Sequence, residues 1–126
     1  MDKVLLIKKP ENSLKTIEIQ DMDEPGELRD LLNCETMETV ICELEGNKYR
    51  ILLDENGRPE QDDTHAIKRI SVLTSSTEYL FSNMIYGSVL LCRQKNNRLI
   101  GLTEEDITII KRHIRQFPRM GTVLVV

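Results

Sequence analysis

The chain has 126 residues, 40% of them hydrophobic and 30% charged, which suits one folded domain spanning 1–126 rather than a disordered chain. Aromatic residues are 4% with no Trp, so the core must be built from Ile, Leu and Val. No apolar run reaches the ~18 residues that a membrane-spanning helix needs, and "MDKVLLIKKP" has an apolar run of only four residues with no cleavage site after it, so no membrane partner and a cytoplasmic location are expected.

The first elements follow from period-two patterns and turn residues. "KVLLIKK" (3–9) reads as a strand, broken by Pro10 and "ENS". "LKTIEIQ" (14–20) alternates apolar with charged residues and suits a hairpin partner. "DEPGELRDLLN" (23–33) predicts a short helix. Asp23 or Glu24 caps it, Pro25 fits its first turn, Leu28, Leu31 and Leu32 form its apolar stripe, and Asn33 ends it. "METVICELE" (37–45) and "KYRILLDE" (48–55) predict a second hairpin around Gly46–Asn47. "DENG" (54–57) reads as a turn. As a calcium loop starting at Asp54 it would place Arg58 and His65 at ligand positions five and twelve, and that spacing fails.

In the second half, "HAIKRISVL" (65–73) is ambiguous and becomes strand-like near its end. "SSTEYLFSNM" (75–84) predicts a helix of one to two turns, "YGSVLLCR" (86–93) a strand, and "QKNNR" a turn. "LTEEDITIIKRHIRQF" (102–117) predicts the last helix. Thr103 is its cap, Asp106 stands in capping-box position, and acids at the start and bases at the end match the helix dipole. Ile107, Ile110, Ile114 and Phe117 recur on one face, and Pro118 stops the helix. "GTVLVV" (121–126) is a last strand. It is either buried within a sheet or forms an edge through which Val123–Val126 would recruit another copy. The fold class expected is α+β, a mixed and mainly antiparallel sheet of about five to seven strands packed by two to three helices.

The chemistry-bearing residues are few. Cys34, Cys42 and Cys92 are odd in number and form no CxxC, which argues against a disulfide framework or a zinc knuckle. Cys42 and Cys92 lie in apolar runs and read as buried thiols. His113 sits among Lys111, Arg112 and Arg115, where it complements the helix C-terminus. Asp62, Asp63 and His65 could hold a divalent metal in a metal-dependent enzyme, although their spacing matches no ligand motif and a charged loop is the better reading. No phosphate-binding glycine motif and no nucleophile–base arrangement is present, so no catalytic residue, cofactor or metal site is assigned.

Charge is divided along the chain. Residues 1–63 carry 17 acids and 8 bases; residues 64–126 carry 4 and 9. Asp21, Asp23, Glu24, Glu27 and Asp30 cluster on and before the first helix, followed by Glu35, Glu38, Glu43 and Glu45, and such a surface suits a basic protein partner. Arg93, Lys95, Arg98 and Arg112 are the alternative site, for a nucleotide or cyclic nucleotide held by a local basic pocket. Direct nucleic-acid binding is disfavoured by the acidic half and the scarcity of stacking aromatics.

The order of "KTIEIQD", "EPGELRDLLN", "LLDENGR", "IYGSVLLC" and "LTEEDITIIKRHI" resembles an uncharacterised family, domain of unknown function 3846, carried largely by phages, plasmids and other mobile elements of bacteria. The resemblance spans about residues 3–116 and is sharpest at "DENGR", "YGSVLL" and "LTEEDI", which are mostly turn and capping residues. "PEQDDTHAIKRI" (59–70) and the tail "RQFPRMGTVLVV" depart from the pattern. The resemblance implies a bacterial host cell and a genetic context rather than a reaction. The expected function is a non-enzymatic binding protein acting against a host defence protein, such as a CRISPR or restriction nuclease. Sequestering a nucleotide immune signal is the alternative.

Overall fold

A computed structural model describes residues 2–8, 13–55, 70–73, 85–117 and 121–125. The strands β1 (Asp2–Lys8) and β2 (Ser13–Ile19) form the expected antiparallel hairpin, with Asp2 opposite Ile19 and Lys8 opposite Ser13. Helix α1 (Pro25–Leu32) follows, then β3 (Met37–Leu44) and β4 (Asn47–Asp54), paired antiparallel along their whole length. The turn between β3 and β4 is Glu45–Gly46, one residue earlier than expected, and both have positive φ (51° and 84°). This is the backbone that matches the twist of a two-residue hairpin.

The segment read as one strand over 86–93 divides in two. Gly87, at φ 88°, separates β6 (Ile85–Tyr86) from β7 (Val89–Lys95), and the two strands belong to different sheets. β5 (Ile70–Leu73) pairs with β6. Asn96 and Asn97, both at positive φ, turn β7 into β8 (Arg98–Ile100), a strand that the sequence pattern did not announce. The last helix, α2 (Glu104–Arg112), is shorter than expected. His113 caps it, and residues read as its final turns form β9 (Ile114–Phe117), which pairs antiparallel with β10 (Gly121–Val125). Ile114 fits a helical stripe and a strand equally well by spacing, and the pairing with β10 decides between them. The predicted helix over 75–84, residues 59–69 of the departing segment 59–70, Gly57, Pro118 and Val126 lie outside the described residues.

The fold is α+β. Its main sheet is antiparallel throughout and runs β2–β1–β7–β4–β3, with β8 paired to the end of β7. A second sheet runs β6–β5–β10–β9, with β5 and β10 parallel. β10 therefore lies between two strands, the first of the two placements open to it, and its Leu124 is fully buried. The edge on which Val123–Val126 would recruit another copy is occupied by β5 and β9 over the paired residues.

The central strands are apolar on both faces because both are covered. On one face Val4, Leu6, Leu52, Leu90 and Cys92 pack with Leu28 and Leu32 of α1. On the other, Leu5, Ile7, Ile51, Val89 and Leu91 pack with Ile107, Ile109 and Ile110 of α2 and with Leu124. Each fully buried aliphatic side chain contributes about 1.5–3 kcal/mol. Among the described residues, no helix is long and apolar enough to cross a membrane.

One glycine holds the link between β8 and α2 against β1. A Cβ at Gly101 would sit 2.7 Å from the Asp2 Cβ and 2.9 Å from the Lys3 backbone nitrogen. The next residue, Leu102, donates its N–H to the Lys3 carbonyl at 2.7 Å. Gly101→Ala is expected to cost ~1–3 kcal/mol in urea unfolding, as overpacking does. Gly46→Ala, whose Cβ would enter open space, is expected to cost about 1 kcal/mol through its positive φ alone.

Candidate functional site: a buried carboxylate and the surfaces around it

The densest polar arrangement lies where α2 crosses β4 and β7. Thr103 caps α2: its hydroxyl accepts the Asp106 N–H at 3.1 Å, and the Asp106 carboxylate accepts the Thr103 N–H at 2.9 Å. That is the capping box read from the sequence. The sequence did not reveal that Asp106 is 1% exposed, a charge taken out of water. β4 and β7 bring Tyr49 and Arg93 directly opposite each other beneath it. The Tyr49 hydroxyl donates to Asp106 Oδ1 at 2.8 Å, and Arg93 Nη1 donates to both carboxylate oxygens at 3.1 and 3.3 Å. Arg93 Nη2 donates to Asn47 Oδ1 at 3.3 Å.

Burial alone would push the Asp106 carboxyl above its ordinary range. The Thr103 donors, the Tyr49 hydroxyl and the Arg93 guanidinium outweigh it, and the group is held below that range. The Tyr49 hydroxyl is pushed up, first by burial and then by its bond to Asp106. Four protein groups donate to the carboxylate, and no described side chain buries an unsatisfied polar atom. These bonds tie α2 to β4 and β7.

Of the basic residues assigned to a ligand, three are engaged by carboxylates, and Lys95 stands opposite Arg98 across the β7–β8 pair. Arg93 is committed to Asp106. Arg98 donates to Asp23 Oδ2 at 2.6 Å, and Arg112 donates to Glu45 Oε1 at 2.7 Å. Lys95 is exposed at the end of β7. His113 caps α2, as its place in the sequence suggests, and its Nε2 lies 3.3 Å from Glu45 Oε2.

Four of the five carboxylates of the first acidic cluster make bonds around the entry to α1. Glu24 is the cap and accepts the Gly26 N–H, Asp21 accepts the Asp23 N–H, Glu27 accepts the Gln20 N–H, and Asp23 holds Arg98. Asp30 stands exposed on the helix. The later acids differ. Glu35, Glu38 and Glu43 are exposed on and before β3, the end strand of the main sheet, beside Ile41 at 52% exposure.

The described residues contain no cluster of three or more His, Cys, Asp or Glu fit to hold a metal, and Asp62, Asp63 and His65 lie outside them. The cysteines are free, with Cys42 and Cys92 buried and their thiols pushed up to about 12 by burial. Comparison with known proteins finds no matching family model, no matching curated protein and no matching solved structure.

Three outcomes test the placement of these side chains. Asp106→Asn keeps the shape but removes the charge and an acceptor, and is expected to cost about 3 kcal/mol in urea unfolding at neutral pH, as breaking a buried pair does. Because the native Asp106 value is depressed, its contribution is full above the unfolded value of about 3.9 and is lost as pH falls through the native one. Acidification is therefore expected to destabilise the wild type more steeply than the variant. Under native conditions iodoacetamide is expected to label Cys34, which is partly exposed, far ahead of Cys42 and Cys92, as peptide mass mapping would show.

Proposed function

We propose that this chain is a non-enzymatic binding protein whose acidic edge engages a basic surface on another protein, and that the partner is a host defence protein such as a CRISPR or restriction nuclease. One observation carries the reading. Residues 35–45 hold four glutamates and no basic residue, and Glu35, just before the end strand of the main sheet, and Glu38 and Glu43 on it are exposed. Charge presented in this way steers a basic partner and sets specificity more than raw affinity. The commitment of Arg93, Arg98 and Arg112 to carboxylates favours this surface over a basic nucleotide pocket. The mobile-element resemblance supports the choice of partner class.

A panel of purified CRISPR and restriction nucleases, assayed for DNA cleavage with and without the protein, tests this. Inhibition of at least one nuclease is expected. It should weaken about tenfold or more in the Glu35→Gln/Glu38→Gln/Glu43→Gln variant, and weaken further as salt rises. Inhibition that ignores both the triple substitution and salt would reject the acidic edge, and no inhibition across the panel would reject the nuclease.

A further inference from the structure

The partner's contact can be specified further, on the premise that the acidic edge is the binding surface. The phase of the β3–β4 hairpin is fixed by its two-residue turn. Leu44 and Asn47 flank that turn and form a hydrogen-bonded pair, so Cys42, Val40 and Glu38 also direct their backbone groups toward β4. The Glu55 N–H donating to the Thr36 carbonyl at 3.2 Å, at the far end, has the same phase. It follows that the N–H and C=O groups of Met37, Thr39, Ile41 and Glu43 point away from the sheet. Among the described residues nothing pairs with them, because the sheet order ends at β3.

We infer that β3 binds its partner by strand addition: an extended segment of the partner hydrogen-bonds to Met37, Thr39, Ile41 and Glu43 and becomes the next strand of the main sheet. The side chains set the partner's sequence. Ile41 is exposed on the face that α1 shares and asks for an apolar residue opposite. Glu43, on the same face, and Glu38, on the other, ask for basic residues. In an antiparallel partner these fall two positions to one side of the apolar residue and three to the other. The opposite sheet edge lacks these features: β2 carries one lysine and one glutamate, and its larger apolar side chains are at least half-buried. A second copy of this chain fits β3 poorly. Two β3 edges would bring Glu35, Glu38 and Glu43 against the same three of the other copy, with no basic residue on either strand.

The experiment is an NMR titration of the full chain with the peptide Thr-Lys-Thr-Val-Val-Thr-Lys-Thr, beside a peptide of the same composition with its lysines moved next to each other. Saturable shifts at the Thr39, Ile41 and Glu43 amides are expected, with the control binding about tenfold more weakly, the loss of one charge register. Ile41→Pro removes an outward N–H at a position where an edge strand tolerates proline, so the fold is expected to persist and the binding to vanish. Ile41→Glu leaves every backbone bond in place and is expected to weaken binding. Binding unchanged by Ile41→Pro, or no shift at these amides, would overturn strand addition while leaving the acidic-edge reading to its nuclease assay. A wild-type dimer in native mass spectrometry that becomes monomeric in Ile41→Pro would overturn the basic partner in favour of a second copy.

Discussion

The Asp106 carboxylate is the point on which the arrangement of layers depends. It closes the first turn of α2 through Thr103 and at the same time meets Tyr49 of β4 and Arg93 of β7. A helix laid on a sheet by aliphatic packing alone could slide or rotate at small cost, because hydrophobic contact is non-directional. Three sets of donors aimed at one buried carboxylate fix both. The price of desolvating the charge is met only when all of them are in place, so the site specifies one docking rather than simply adding stability.

The glycines and asparagines divide the chain between its two sheets. Gly87 ends β6 in one sheet and lets β7 begin in the other. Asn96 and Asn97 return the chain as β8, and Gly101 then lets it pass close over β1 before α2 begins. Each of these positions needs either a left-handed backbone or the absence of a Cβ. Together they bring Thr103 and Asp106 over the β4–β7 pair.

Function and cohesion draw on the same residue types here. Several of the charged groups that looked available in the sequence are used internally, at the cap of α1, around Asp106, or in pairs such as Lys3 with Glu104 and Arg112 with Glu45. Exposed pairs of this kind contribute little to stability, but they remove a charge from competition for a partner. Among the charges that stay outward are those of an acidic edge with one apolar residue in it, on a strand whose other side is fully paired.

The sequence by itself determined the local features. The β1–β2 and β3–β4 hairpins, α1 with its proline and cap, the capping box of α2 and the buried Cys42 and Cys92 all follow from side-chain periodicity or from bonds between near neighbours. Only the tertiary structure decided the long-range features. It split 86–93 between two sheets, ended α2 at Arg112 so that Ile114 could pair with Leu124, and placed Tyr49 and Arg93 under Asp106. In each of these the deciding partner is distant in sequence, and a pattern such as Ile110, Ile114 and Phe117 is compatible with more than one local structure. A carboxylate in capping-box position looks the same in sequence whether it ends in water or in a core. The sheet laid across it makes the difference, because burial sets the cost of leaving any of its donors out.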